Sequence, residues 1–340
     1  MEIFENHPLK DHNTFGINVM AKFFARISRQ EDLTSILSDS DFSGIPCFVL
    51  GGGSNVLFRK NFDGLVLHVD VRGREIFSED ANSLVIALGS GENWHQQVEF
   101  CIAREWGGIE NLSLIPGNCG AAPIQNIGAY GVELSDVFEW LEALDLQTGA
   151  VKKFSRDDCR FAYRDSVFKN EYKGRYLITR IAIRLQKNPV LNTAYGVVES
   201  ELIKSGKEKR EWTIGDVSEA VVKIRRSKLP DPAELGNAGS FFKNPAIGSD
   251  VVQLLKGIHP DIPSYADGKG NFRIAAGWLI EKAGWKGFRS GECGVHEKQA
   301  LVLVNFGRAG GDEIFELSEK IREDVLMKFG IGLQREVEVV

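Results

Sequence analysis

The sequence predicts a mixed α/β (α+β) protein of two or three domains. Three observations carry that expectation. At 340 residues the chain exceeds one ordinary domain. Its first half alternates short β-prone apolar runs with glycine-rich turns. Its second half holds three helical stretches, the first stopped by Pro230 and Pro232 and the last capped by Gly330. A composition 43% hydrophobic and 26% charged suits a folded globular chain and excludes a predominantly disordered one.

In chain order, Met1–Lys10 carries acidic residues and a proline where a secretion signal needs an apolar core. No apolar stretch approaches the ~20 residues of a membrane span. Strands are expected at Cys47–Leu50 and Leu65–Val69, flanking Gly51–Gly53, and then at Leu84–Leu88, Leu141–Leu146 and Leu177–Leu185, with helical spacing at Asn93–Arg104. Thr213–Lys228 reads as a helix capped by Thr213, and its proline stop is the clearest domain boundary. Beyond it come the Gly/Asn-rich stretch Gly236–Pro245, a helix near Ala275–Lys282 and a buried strand at Ala300–Val304. In the last helix, Asp312–Phe329, Ile314, Leu317, Ile321, Val325 and Phe329 recur every three or four residues, as core residues do.

A formal charge of −6 leaves any nucleic-acid footprint to local patches, and the densest one, Lys207–Arg210 with Arg225, Arg226 and Lys228 nearby, reads as a solvated helix face. The five cysteines stand singly with no C-x-x-C pair, so neither a disulfide framework nor a zinc site is expected, and a reducing, cytoplasmic compartment is. His12, His68, His95 and His296 lack metal-ligand spacing, so no metal is expected. Neither nucleic acid nor membrane is an expected partner, and the chain is expected to act as a monomer.

Gly51, Gly52 and Gly53 follow a strand, where glycines let backbone N–H groups approach an anion, and Ser54 and Asn55 add side-chain donors. A tight turn chosen for geometry alone has the same residues. The segment from Pro116 to Gly131 is more specific: Gly117, Gly120, Gly128 and Ala121 leave space for a ligand around the amides of Gln125 and Asn126, with Tyr130 for stacking or a hydroxyl contact. No complete G-x-G-x-x-G occurs, which disfavours a Rossmann unit and asks for another pyrophosphate cradle.

Seven segments in order, NTFGI (Asn13–Ile17), GGGSNVLF (Gly51–Phe58), IPGNCGAAPIQNIGAYG (Ile115–Gly131), CRFAYRDSVFK (Cys159–Lys169), KLPDP (Lys228–Pro232), GNAGSFFKNP (Gly236–Pro245) and AAGWLIE (Ala275–Glu281), together resemble the UDP-N-acetylenolpyruvoylglucosamine reductase family. The resemblance implies a vanillyl-alcohol-oxidase-type FAD-binding fold of two subdomains, residues 1–70 and 71–227 (with 331–340), and a UDP-sugar-binding domain at 228–330. It implies FAD, with NADPH reducing the flavin and UDP-N-acetylglucosamine enolpyruvate as substrate. Neither glycine segment holds a histidine, so non-covalent FAD is expected. By the same resemblance Arg164 meets the substrate carboxylate, Ser240 is the general acid and Glu336 polarises the enolpyruvyl group. Lys228 and Asn244 meet the diphosphate, Tyr195 closes over the nucleotide as in the branch with the longer insertion, Tyr163 touches substrate beside Arg164, and Arg225 meets the flavin phosphates. Two departures stand out: Arg335 occupies a position that is often proline before the glutamate, and Ala121 and Ala122 replace serines found in some relatives. An oxygen-using oxidase of the same fold and a non-catalytic UDP-sugar-binding module are the competing readings.

Overall fold

The computed structural model describes residues 2–267 and 270–340, which gather into two compact units. The first comprises the chain up to His7, Ala21–Gly53 and Asp63–Ser227; the second comprises Pro8–Met20, Ser54–Phe62 and Lys228–Val340. The division at 227/228 falls where the sequence places its proline stop. The second unit also takes in two short early segments and residues 331–340, a grouping that runs of consecutive sequence do not reveal.

In the first unit β1 (Ile3–Pro8), β2 (Met20–Ile27), β3 (Cys47–Leu50) and β4 (Phe62–Val69) form one sheet in the order β1-β2-β4-β3. Strands β3 and β4 run parallel, with Cys47 opposite Leu65. Helix α1 (Gln30–Leu37) buries Leu33 and Ile36 against Ile27, Leu65 and Leu67 of that sheet. A five-stranded antiparallel sheet follows, built from β5 (Arg74–Glu79), β6 (Ser83–Gly89), β7 (Phe138–Asp145), β8 (Val151–Ser155) and β9 (Tyr176–Gln186) in the order β8-β7-β9-β6-β5. The long central strand β9 pairs on both edges, so its row of Ile, Ala and Leu side chains is buried.

Helix α2 (Trp94–Ile102) begins where the Asn93 side chain accepts from Gln96 N, an N-cap that satisfies one of the helix's first free N–H groups. It buries Trp94, Gln97, Val98 and Cys101, the i, i+3, i+4, i+7 face, against Leu84, Ile86 and Leu88. Helix α3 (Gly196–Ile203) packs Val198 and Leu202 on Trp212, Val217, Val221 and Ile224 around α4 (Ile214–Lys228). Thr213 caps α4 as expected: Asp216 N donates to Thr213 Oγ1 at 3.2 Å and Thr213 N to Asp216 Oδ2 at 2.9 Å.

The second unit holds β10 (Gly236–Ser240), β11 (Ala246–Gly248), α5 (Ser249–Ile258), β12 (Ser264–Ala266), β13 (Asn271–Ile274), α6 (Ala276–Lys282), β14 (Arg289–Ser290), β15 (Cys293–Val295), β16 (Val302–Asn305) and α7 (Gly311–Phe329). Its sheets are β10-β16-β15-β14 and β11-β13-β12, and Glu338–Val339 pairs in parallel with Val56–Leu57. Helix α7 buries Ile314, Leu317, Ile321 and Val325, the expected stripe, and ends on Gly330 at φ +68°. Phe329 is only half-buried, beside His259 and Trp278. At its start a Cβ on Gly311 would lie 1.9 Å from Phe58 O, so only glycine lets the helix begin there.

The NTFGI segment is a self-closed loop of this unit. Asn13 Nδ2 donates to Leu9 O and Ile17 O, and its Oδ1 accepts from Ile17 N. The loop docks on β10 and β16 through Asn237 N on Thr14 O and Asn305 Nδ2 on Phe15 O. Among the described residues no helix is long and apolar enough to cross a membrane, and no group of three or more His, Cys, Asp or Glu could hold a metal ion.

Candidate active site

The two glycine segments meet in the first unit. A Cβ on Gly52 would lie 3.0 Å from Asn118 Oδ1 and 3.2 Å from Gly117 Cα, and one on Gly51 would touch Ala121 Cβ at 3.9 Å. The second segment also lies along Gly89–Asn93, with Trp94 N donating to Gly117 O, Cys119 N to Glu92 O and Gly120 N to Ser90 O. A Cβ on Gly120 would stand 2.5 Å from Ser90 Cβ. Two backbones approaching this closely form a cradle lined by peptide groups, which suits a pyrophosphate. The buried Ser90 Oγ beside Gly120 has no hydrogen-bond partner among the described residues. These residues fit FAD.

Within Pro116–Gly131 the amides divide their work. Asn126 is buried at φ +44°; its Nδ2 donates to Glu133 Oε2 and Ala162 O, and its Oδ1 accepts from Ser135 N. That amide shapes the loop. Gln125 Oε1 lies 3.4 Å from Lys169 Nζ. The segment ends in a tight hairpin, Gly128–Ala129 against Val132–Glu133, with Tyr130 at φ +49° and Gly131 at φ +82°. Two consecutive positive φ angles are what a two-residue hairpin with right-handed twist requires.

Arg164 sits in a second two-residue turn, of a different type, in which it alone has positive φ. Ala162 and Asp165 exchange both backbone hydrogen bonds at 3.1 Å, leaving Tyr163 and Arg164 as the turn, with Arg164 at φ +53°. Its guanidinium lies over Gly128, donating to the Gly128 carbonyl, 3.8 Å from Glu133 and 5.0 Å from the Tyr163 ring. A Cβ on Gly128 would stand 2.9 Å from Arg164 Nη1, so that glycine makes room for the guanidinium.

Arg225, expected at the flavin phosphates, donates through Nε to Leu114 O at 3.2 Å and hydrogen-bonds the Tyr130 hydroxyl. Burial lowers its proton affinity, Tyr130 opposes this, and the charge of Arg164 adds to it, which places the two guanidinium groups within reach of each other. Burial also raises the Tyr130 hydroxyl above its usual range, with Arg225 opposing. Tyr195 stacks edge-on against Tyr130 at 5.6 Å while remaining 46% exposed, at the start of α3. Of the seven described non-glycine residues with positive φ, four belong to this cluster: Leu114, Asn126, Tyr130 and Arg164. Such backbone is retained where surrounding structure enforces it, and it concentrates at working sites.

The second unit brings Ser240 and Glu336 together. A register shift between Asn237 and Ser240 marks a β-bulge, with Gly239 at φ +68° and its N–H held by Asn237 Oδ1. Bulges re-aim the following side chain, here Ser240, whose hydroxyl makes no hydrogen bond to another described residue. Glu336 N donates to Phe241 O at 2.8 Å, setting the glutamate beside the residue after Ser240. Asn55 Nδ2 donates to Glu336 O and Asn55 O accepts from Glu338 N, so Ser54 and Asn55, unlike Gly51–Gly53, belong to this unit's framework. Asn244 Oδ1 accepts from Ala276 N at 2.9 Å at the start of α6. Lys228 is exposed at the end of α4.

Several contributors were not singled out from sequence. Glu133 pairs with Arg164, Asn118 backs Gly52, and Asn237 builds the bulge. Asn111 Nδ2 donates to both Tyr130 O and Asn192 O, tying the chain before Tyr195 to the hairpin. Asn118 and Asn237 lie inside quoted motifs and Asn192 opens the NTAYGVV stretch around Tyr195, which is the signal that pointed to them; Asn111 had none.

An FAD binding domain family matches residues 21–155, and the UDP-N-acetylenolpyruvoylglucosamine reductase C-terminal domain matches residues 231–340. Relatives named UDP-N-acetylenolpyruvoylglucosamine reductase include that of Amoebophilus asiaticus, 46% identical over 340 residues and 100% of both chains. That of Pseudomonas fluorescens is 49% identical over 328 residues, 96% of each chain. Among solved structures, the UDP-N-acetylenolpyruvylglucosamine reductase of Thermus caldophilus superposes with a TM-score of 0.67 at 23% identity, covering 99% of this chain and 98% of that one. The 6-hydroxy-D-nicotine oxidase of Arthrobacter nicotinovorans gives 0.54 at 13%, over 99% and 88%. Both likenesses speak to the fold, a vanillyl-alcohol-oxidase-type FAD-binding architecture in an α+β chain. With full-length identity at this level, the chain belongs to the UDP-N-acetylenolpyruvoylglucosamine reductase family and is an FAD-dependent oxidoreductase.

Proposed function

We propose that the chain reduces the enolpyruvyl ether of UDP-N-acetylglucosamine enolpyruvate to the lactyl ether of UDP-N-acetylmuramate with NADPH, in the cytoplasm, as a step of peptidoglycan precursor synthesis. FAD is held non-covalently by the first unit, the UDP-sugar is received by the second, and the chain acts as a monomer. The observation that carries this reading is Arg164: a guanidinium held in a left-handed turn against Gly128, on the same loop that forms the glycine cradle.

FAD held by the first unit would supply the two-electron chemistry, the hydride coming from NADPH and going to the terminal vinyl carbon. Reduction turns that CH₂ into a methyl group and leaves enolate character beside the carboxylate. Arg164 binds the carboxylate oxygens bidentately and stabilises the developing charge, with Arg225 raising the local positive potential. Ser240 Oγ donates the proton that quenches the enolate carbon, and Glu336 polarises the group from the other side. Lys228 and Asn244 hold the diphosphate. Tyr163 contacts substrate beside Arg164, and Tyr195 closes over the nucleotide.

The test separates the two half-reactions under anaerobic conditions. NADPH should bleach the flavin absorbance, and UDP-N-acetylglucosamine enolpyruvate should restore it with one product formed per NADPH oxidised. A flavin that NADPH leaves yellow, or that only oxygen reoxidises, would instead support an oxidase. Ser240→Ala should leave bleaching intact and slow reoxidation by roughly 10²–10⁴-fold; equal loss in both steps contradicts its role as acid.

A further inference from the structure

We propose that Arg335 is a positioning residue for Glu336: it clamps the extended segment just before Glu338–Val339 onto α7 and thereby fixes the direction in which the carboxylate points. The inference rests on the role given to Glu336 above.

Successive side chains of an extended strand point to opposite faces. Leu333 and Val337 are buried while Gln334 is exposed, so Arg335 shares the inward face and Glu336 the outward one. The inward face is fastened by the arginine alone at this position. Arg335 Nε donates to Ser318 Oγ at 3.2 Å, Nη2 donates to Glu319 Oε1, and the guanidinium lies 4.4 Å from the Phe315 ring. These three anchors occupy i, i+3 and i+4 on one face of α7. Ser318 Oγ itself donates to Phe315 O at 2.6 Å, which turns its lone pairs toward Arg335. Glu319 is shared with Arg322, whose Nε also holds Leu333 O, so the same helix face grips the strand two residues earlier.

The backbone ladder does only part of this work. Arg335 faces Phe242 as a non-hydrogen-bonded pair: the flanking bonds run from Glu336 N to Phe241 O and from Lys243 N to Gln334 O, and the N–H and C=O of Arg335 itself are directed away from Phe242. Those bonds fix where Glu336 sits along the strand. Rotation about the strand axis is resisted by the side-chain clamp opposite, and a planar guanidinium with several donors resists twist better than a point charge.

The experiment measures both anaerobic half-reactions in the flavin-loaded enzyme for Arg335→Met, Arg335→Lys, Glu319→Ala and Glu336→Gln. Expected for Arg335→Met are unchanged flavin content, unchanged bleaching by NADPH, and reoxidation by saturating substrate slowed by about tenfold or more, with KM changed less than about twofold. Arg335→Lys should recover part of the rate. Glu319→Ala, which removes the acceptor from the helix side, should shift reoxidation the same way and serves if Arg335→Met fails to fold. Reoxidation at the unsubstituted rate in Arg335→Met and Glu319→Ala, with Glu336→Gln slowed, would overturn the clamp and leave the Glu336 role standing. Parallel loss of flavin, bleaching and reoxidation would also overturn it, as the signature of general destabilisation. If Glu336→Gln reoxidises at the unsubstituted rate, the role of Glu336 falls and the clamp's function with it.

Discussion

Arg164 holds a backbone conformation that costs an L-residue other than glycine, asparagine or aspartate on the order of 1–2 kcal/mol. A turn selected for stability alone would place glycine or asparagine there. The strain is maintained because this position delivers the guanidinium to Gly128 and Glu133. Arg164→Asn should therefore leave the thermal midpoint within a few degrees, since the relieved strain offsets the lost contacts. Substrate-driven flavin reoxidation should fall by roughly 10²–10³-fold, the range seen when one transition-state charge contact is removed. A midpoint drop of more than about ten degrees with turnover preserved would show that the arginine serves the fold. At this scale the sequence was informative about residue type and mute about conformation. FAYRDS marked Arg164, but the left-handed turn that aims it and the pairing with Glu133, 31 positions away, arise only when the two hairpins pack. Likewise Asn126 reads as a ligand-facing amide and is occupied by its own chain, because burying an unpaired amide would be costly.

Among the elements, the glycines separate into those that admit a ligand and those that admit another backbone. Gly311, the first residue of α7, lies against Phe58 O at a distance no Cβ survives. Gly52 faces Asn118 Oδ1 at 3.0 Å and Gly117 Cα at 3.2 Å, a tight approach that a shift of a few tenths of an ångström relieves. Gly311→Ala should therefore destabilise by more than about 3 kcal/mol, as overpacking against immovable backbone does, and yield little soluble protein. Gly52→Ala should fold with a much smaller loss of midpoint in the flavin-free state yet retain markedly less flavin after gel filtration, read from the ratio of 450 to 280 nm absorbance. Full flavin retention in Gly52→Ala would remove the cradle from the binding site. Strong periodicity made α7 and α4 legible, and an apolar run made β9 so. Helix α5 was not anticipated although its sequence is amphipathic; Val252 and Leu255 are buried while Val251, Leu254 and Ile258 are exposed. Strand β5 escaped because all six of its residues, at the edge of the sheet, are exposed and carry no alternation.

At the scale of the molecule, the second unit is assembled from three separate stretches of chain, and its loop at Asn13–Ile17 docks on residues more than two hundred positions later. Such pairing leaves a motif in the sequence but no indication of its partner, which is why runs of consecutive sequence do not reveal that residues 8–20, 54–62 and 331–340 group with 228–330. The cysteines give a readout that spans both units. Cys101, Cys119 and Cys159 are buried in the first and Cys293 in the second, whereas Cys47 is exposed. Desolvation pushes the thiols of Cys101 and Cys159 up to about 12 and drives Cys119 higher still, and it raises Cys293 and, to about 11, Cys47; access therefore separates them, because Cys47 is exposed to a reagent while the other four are buried. The native protein should consequently give no more than one equivalent of fast reaction with an aromatic disulfide reagent at about pH 8, and five after denaturation. Raising denaturant should release the single thiol of the second unit and the three buried ones of the first as separable kinetic classes if the units open independently, and as one class if the interlaced segments make them cooperate. Rapid labelling of two or more thiols in the native state would contradict the packing described for both cores.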